Sequence, residues 1–255
     1  MARIRVTAQL LELFRKGRIF HAVGQGDRWR VGQVLTTATT VALEPYCQIF
    51  GGEVLPMRMG AFSYTHSAVT GHVRIGRYCS IGERVSWMGD AHPVGWASTS
   101  PFSYGPDPLQ GVKAFFEDRG QAPRPRPFPG PDRAIVVGHD VWIGDEAMIA
   151  QGVTVGHGAV IGARSLVLHD VPPYAIVVGS PARVLRMRFD EGLAARLERA
   201  GWWDYMPDFL QNLPVEDPER FLEAFEAGVA ADGPQRINPR LVTYAEIAAA
   251  GEEVG

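Results

Sequence analysis

From Val137 the chain divides into six consecutive hexads, VGHDVW, IGDEAM, IAQGVT, VGHGAV, IGARSL and VLHDVP, and every one begins with Val or Ile. Neither a helix of period 3.6 nor a plain strand of period two generates a beat of six. The second positions are Gly, Gly, Ala, Gly, Gly and Leu and the fifth are Val, Ala, Val, Ala, Ser and Val, so small residues follow the aliphatic at fixed offsets. Six is a multiple of two: a strand holds its inward face for part of each hexad and then bends, with glycine easing the corner. Three such sides make a coil of about eighteen residues, and coils stacked at the strand spacing of about 4.8 Å give a parallel β-helix filled by the first-position aliphatics.

A second array lies upstream, SYTHSA, VTGHVR, IGRYCS and IGERVS, with Ser63, Val69, Ile75 and Ile81 at first positions. Before it, residues 29–62 are rich in β-branched side chains and glycine without a clean hexad, and are expected to form irregular first coils. Between the arrays, residues 88–134 break the repeat with many prolines, glycines and aromatics. Long insertions on a solenoid emerge on one face and often bind ligands. The chain thus reads as an N-terminal helix and first coils (1–62), a hexapeptide-repeat body (63–189) with a loop at 88–134, and a C-terminal helical cap and tail (190–255).

After Phe189, DEGLAARLERAG reads as a helix with Leu193, Leu197 and Ala200 on one face. DPERFLEAFEAG reads as a second, with Asp217 as N-cap, Pro218 in the first turn and Gly228 as the stop. These helices, with Trp202 and Trp203, are expected to cover an open solenoid end. The stretch from 231 onward is read as an extra arm or a frayed end.

Charge and cysteine content narrow the function classes. The 25 Lys plus Arg are balanced by 28 Asp plus Glu, which gives nucleic acid no electrostatic reason to bind. Arg3, Arg5, Glu12 and Arg15 interrupt the opening segment, so no signal peptide or membrane span is expected, and a helix packed on the domain is preferred to one lying on a membrane. Cys47 and Cys79 have no metal or redox spacing, which fits a reducing cytoplasm.

The segments IGRYCSIG, HPVGWASTSPF, VGHDVWIGDEAMI, IGARSLVLHDVPPYAIVVGSPARVLRMRF and WWD, in that order, resemble the hexapeptide-repeat acyltransferases, within them the xenobiotic branch with its chloramphenicol, streptogramin and nucleotide-sugar acetyltransferases. The resemblance implies an all-β solenoid, a left-handed β-helix assembled as a homotrimer. It implies acetyl-CoA as co-substrate without a metal, and a small polar acceptor, foremost a nucleotide-linked sugar or other carbohydrate and second an antibiotic. It places the catalytic base at His92, a residue type that titrates near the working pH. Asp90 is either an orienting partner of His92 or a turn residue. For coenzyme A the resemblance points to Trp142 at the thioester end, Gly144 and Ala163 as small corner residues, and Arg183 and Arg186 as phosphate partners. Where the family often has Thr-Lys, this chain has Leu168 and His169, which leaves His169 a weaker candidate. The acceptor is expected against Trp96, Ser98, Phe102 and Tyr104.

Three rivals remain open. Cys79 is the obvious nucleophile for a covalent acyl-enzyme, but its fifth-position placement predicts a buried, inert thiol. His139 and His157, eighteen residues apart, should stack in successive coils, and His66 and His72 should lie on adjacent faces, which raises a zinc carbonic anhydrase as a second class. A non-catalytic binding scaffold is the third.

Overall fold

The computed structural model describes residues 1–21, 28–89, 91–104, 109–128, 134–232, 234 and 236–254. The chain opens with β1 (Ala2–Arg5), α1 (Ala8–Lys16) and β2 (Val34–Thr37). Short strands follow: β3 (Ala42–Leu43), β4 (Gln48–Ile49), β5 (Arg58–Met59), β6 (Tyr64–Thr65), β7 (Val73–Ile75), β8 (Ser80–Ile81) and β9 (Ser86–Trp87). The loop carries α2 (Gln110–Glu117). The coils resume with β10 (Ile135–Val137), β11 (Trp142–Ile143), β12 (Met148–Ile149), β13 (Thr154–Val155), β14 (Val160–Ile161) and β15 (Leu166–Val167), and end in the hairpin β16 (Ala175–Gly179) and β17 (Ala182–Met187). Then come α3 (Glu191–Ala200), α4 (Pro207–Leu210), α5 (Pro218–Asp232), β18 (Val242–Thr243), α6 (Tyr244–Ala250) and β19 (Glu252–Glu253).

The short strands stack as three parallel ladders, the three sides of a prism. The first face holds β3, β5, β7, β10 and β13, the second β4, β6, β8, β11, β14 and β16, and the third β9, β12 and β15. In the late coils the period is eighteen: Trp142 lies beside Val160, Met148 beside Leu166 and Val136 beside Thr154. Val137, Ile143, Ile149, Val155, Ile161 and Val167 all point inward and are buried. Each such side chain contributes about 1.5–3 kcal/mol of transfer free energy, which is what holds two-residue strands in place.

The early coils advance by sixteen instead. Gln48 lies beside Tyr64 and Tyr64 beside Ser80, while Ala42 lies beside Arg58 and Arg58 beside Arg74. Their third side lacks a ladder strand until β9 and is two residues shorter. The expected frame therefore slips. Ile75 and Ile81 point inward as anticipated, but the inward partner of Ile81 is Thr65, and Ser63 falls in the column of Cys79. Its buried hydroxyl is satisfied there, donating to Gly76 O at 2.7 Å and accepting from Cys79 N at 2.9 Å.

Corner residues adopt the left-handed conformation that a tight turn requires, and most are not glycine: Tyr46, Phe62, Tyr78, Asp140 and Tyr174 at one edge, Arg84, Glu146 and Arg164 at the next. Their side chains stack from coil to coil. Tyr46, Phe62 and Tyr78 form a ring ladder at 5.4 and 5.0 Å, and Glu146 bridges Arg84 and Arg164 at 2.8 Å each.

The ends differ from expectation. The edge of the second face is closed by β17, which pairs antiparallel with β16. The C-terminal helices pack along the aromatic edge of the prism: Trp202 contacts Tyr78, and Tyr174, Leu197, Tyr205, Leu210, Phe221, Leu222 and Phe225 form a second core. Asp217 accepts from Arg220 N as the cap of α5, but the helix runs through Gly228. A Cβ there would lie 2.9 Å from the Phe209 ring, so the glycine seats that ring. The tail is neither a free arm nor frayed. β18 pairs antiparallel with β3, β19 pairs with β1, and α6 packs on α1, so residues 242–253 close the first coil. Among the described residues no helix is long and apolar enough to cross a membrane.

Candidate active site

The loop leaves the third face after β9 and returns to the first face at β10. His92 sits near its start with Nδ1 2.8 Å from Thr99 O and 2.6 Å from Tyr104 Oη. A carbonyl oxygen only accepts, so Nδ1 carries the proton and the hydrogen bond assigns the tautomer. The Tyr104 hydroxyl accepts from the same N–H and turns its own proton to Thr99 O at 3.3 Å. The lone pair is left on Nε2, the arrangement a general base needs.

Tyr104 anchors this arrangement. It is 9% exposed, its ring meets Phe128 edge-on at 5.3 Å and Trp96 at 6.0 Å, and it bridges to Arg126, whose N–H donates to Ser103 O at 2.8 Å. Beside this cluster opens a cleft of about 1040 Å³ lined by Trp96, Ser98, Phe102, Phe116, Arg124 and Arg126 among others. Trp96, Ser98 and Phe102 thus line one space. Tyr104 is not among those lining residues; its ring packs on Trp96 and its hydroxyl contacts His92 Nδ1. Asp90 lies outside the described residues.

Trp142 stands outward on the second face, 59% exposed, between Ser80 and Val160. Gly144 and Ala163 meet at the next corner. A Cβ on Gly144 would lie 2.7 Å from Ala163 N, so the glycine is required for one coil to seat on the next. His169 and Arg183 line a groove of about 230 Å³ with Leu168, Asp170 and Val184, and Arg186 lies outside it, donating to Met187 O. These positions run from the second face round its corner to the end of the third, from whose far edge the loop springs.

The rival nucleophile is unavailable. Cys79 is fully buried, its thiol donates to Gly138 O at 3.0 Å, and burial pushes its pKa up to about 12. Burial raises Cys47 as well. His139 and His157 stack at 5.0 Å as predicted, and Trp203 stacks on both. Their Nδ1 atoms accept from Arg77 N and His139 N at 2.9 Å each, which leaves N–H on the outer nitrogen, a donor and not a ligand. Burial, then the neighbouring His157 and Arg77, lowers His139 to about 4. Arg77 also joins Glu44 at 2.6 Å and Asp204 at 2.7 Å, tying coils to C-terminal segment. This pair is structural.

Comparison with known proteins fits this construction. The family described as bacterial transferase hexapeptide (six repeats) matches residues 134–169. A chloramphenicol acetyltransferase of Agrobacterium fabrum is 41% identical over 140 residues, 54% of this chain and 62% of that protein. A probable macrolide acetyltransferase of Lysinibacillus sphaericus is 33% identical over 152 residues, 58% of this chain and 79% of the relative. The chain belongs to the hexapeptide-repeat acyltransferase family. A galactoside O-acetyltransferase of Escherichia coli is 48% identical over a shorter stretch of 52 residues, 20% of this chain and 26% of that protein. The match to the chloramphenicol enzymes spans about three fifths of their length.

Sequence reasoning missed the far wall of the cleft, Phe116, Gln121, Arg124 and Arg126. One signal was present. In 123–128 the order Pro-Arg-Pro-Arg-Pro-Phe alternates a rigid residue with a large side chain, the pattern of an extended strap with one busy side.

Proposed function

We propose that this protein transfers the acetyl group of acetyl-CoA to a hydroxyl or amine of a small polar acceptor held in the loop cleft. The observation that carries the reading is His92 held through Nδ1 by Thr99 O and Tyr104, whose ring packs on Trp96 of the loop cleft, on a hexapeptide-repeat prism. The bare Nε2 takes the acceptor proton, the acceptor oxygen or nitrogen attacks the thioester carbonyl, and coenzyme A leaves as thiolate, to be protonated by the imidazolium. Transfer is direct, because both thiols are buried and protonated. Trp142 would flank the thioester arm, Gly144 and Ala163 keep that corner low, and the groove of His169 and Arg183, with Arg186 beyond it, would meet phosphates. Asp90 is kept as a positioning partner of His92.

Two acceptor classes are supported. The named activities of the chloramphenicol and macrolide relatives favour an antibiotic, while the galactoside relative favours a carbohydrate, the nucleotide-linked sugars included. We read the coil as left-handed and the protein as a cytoplasmic homotrimer, with 63–189 as the catalytic body between 1–62 and 190–255. Thiol release from acetyl-CoA over a panel of amino sugars, nucleotide sugars and hydroxylated antibiotics tests the reading. Acceptor-dependent release that collapses in His92→Ala supports it, and release that survives the substitution overturns the base. Sedimentation as a monomer at micromolar concentration would overturn the assembly.

A further inference from the structure

The loop cleft carries a charge pattern that the assigned chemistry does not require. Its lining includes two cations, Arg124 and Arg126, and, among the described residues, no carboxylate. Both arginines are exposed, and neither has an ion-pair partner among the described residues. The chain as a whole carries a formal charge of −3, against which two arginines without ion pairs among the described lining residues stand out.

The arginines are also positioned. Pro123, Pro125 and Pro127 restrict the backbone on either side of them. Arg126 N is held by Ser103 O, and Phe128, two residues on, packs its ring against Trp96 and Tyr104. Phe128 packs against Trp96, which itself lines the cleft together with Arg124 and Arg126. Trp96, Phe102 and Phe116 line the same cleft, and Phe102 is 52% exposed. Two guanidinium forks and three rings in one cleft make a receptor for a flat ring joined to an oxyanion. A volume of about 1040 Å³ is at the upper end of small-ligand sites, roughly 300–1,000 Å³, and is more than a lone monosaccharide fills.

We infer that the acceptor is anionic: it carries a phosphate or carboxylate that Arg124 and Arg126 hold, and a planar ring that lies on Trp96, Phe102 and Phe116. This rests on the acetyl-transfer reading and deepens it, since it favours a nucleotide-linked sugar over an uncharged antibiotic. The phosphates of coenzyme A offer the same chemistry, so the test must separate the two sources.

Binding is measured first, without acetyl-CoA, by Trp fluorescence and calorimetry with UDP and with uridine. UDP is expected to bind at least tenfold tighter than uridine, with an affinity that falls as salt rises. The difference should vanish in the double variant Arg124→Gln, Arg126→Gln, while Arg124→Lys, Arg126→Lys keeps part of it. Kinetics follow with UDP-glucosamine against glucosamine. The double variant is expected to raise KM for the nucleotide sugar by about tenfold or more, a far larger change than in KM for acetyl-CoA or in kcat/KM for glucosamine. A raised KM for acetyl-CoA alone assigns the arginines to the coenzyme and overturns the proposal. Equal binding of UDP and uridine overturns it too. Robust His92-dependent transfer to neutral acceptors, indifferent to both arginines, would overturn the anionic acceptor while the acetyl-transfer reading stands. UDP binding that needs the arginines, without thiol release from any acceptor, would leave the anion site and sink the transferase.

Discussion

The late coils and the loop they interrupt are built in opposite ways. Between Ile135 and Val167 every sixth side chain is buried against its neighbours in the coils above and below, and two hydrogen-bonded residues suffice for a strand because the ladder repeats. In the loop, among the described residues, only Pro93 and Tyr104 are buried, and the hydrogen bonds that matter are single ones: Thr99 to His92, Ser103 to Arg126. Redundancy makes the coil robust and chemically plain. The loop is shaped by few contacts, so almost any of its residues can be spent on a ligand, and the cleft lies there.

The contrast can be broken by substitutions on either side of it. The largest effect is expected at His92→Ala, which should lower acetyl transfer by about a hundredfold or more while leaving the thermal midpoint where it was, since the side chain is exposed; thiol-release kinetics beside calorimetry decide this. Ile161→Ala should do the reverse. It leaves a void between coils, costs about 2–5 kcal/mol by denaturant titration, and should spare kcat in the fraction still folded. Equal damage to both properties by either change would remove the division drawn above.

Smaller changes sharpen it. Tyr104→Phe removes the hydroxyl on His92 but keeps the ring among Trp96 and Phe128, so a loss of about five- to tenfold in kcat/KM is expected, with a shifted pH profile. A merely structural tyrosine would leave that profile alone. On the coil side the gauge is pH. Unfolded histidine titrates near 6.5, and His139 in the fold near 4, because burial and its neighbours disfavour the charged form. A depressed value means that its contribution is complete above pH 6.5 and is lost as the pH falls toward 4. His139→Gln should therefore flatten the urea stability profile by about 1 kcal/mol per pH unit across that window, and should leave it unchanged above. An unaltered slope would show that the stacked pair is not what titrates.

What the sequence disclosed follows the same line. The period of six, repeated, named the prism, because each hexad answers only to its neighbours and the pattern is local. The sixteen-residue coils were misread: Ser63 and Thr65 are both small, polar and buried, and nothing in SYTHSA tells which of them takes the column of Ile81 when a side is shortened by two. The closure of the first coil by Val242–Thr243 was not legible either, since a two-residue strand pairing across about two hundred residues leaves no periodicity. The loop was legible as a candidate binding segment from its composition, yet nothing in the sequence disclosed the hydrogen bond between Tyr104 and His92. A tyrosine in a Pro- and Gly-rich loop gives no sign of which way its ring turns until Phe128 and Trp96 fold over it.

The pairing of Val242–Thr243 with Ala42–Leu43 also sets a timetable. Coils can wind as they leave the ribosome, one upon the last. The edge of the first coil, however, stays a free template until residues some two hundred positions later emerge to cover it. A nascent chain is therefore nearly complete as a prism while its first edge is still open to pairing with a neighbour, until β18 emerges to cover it.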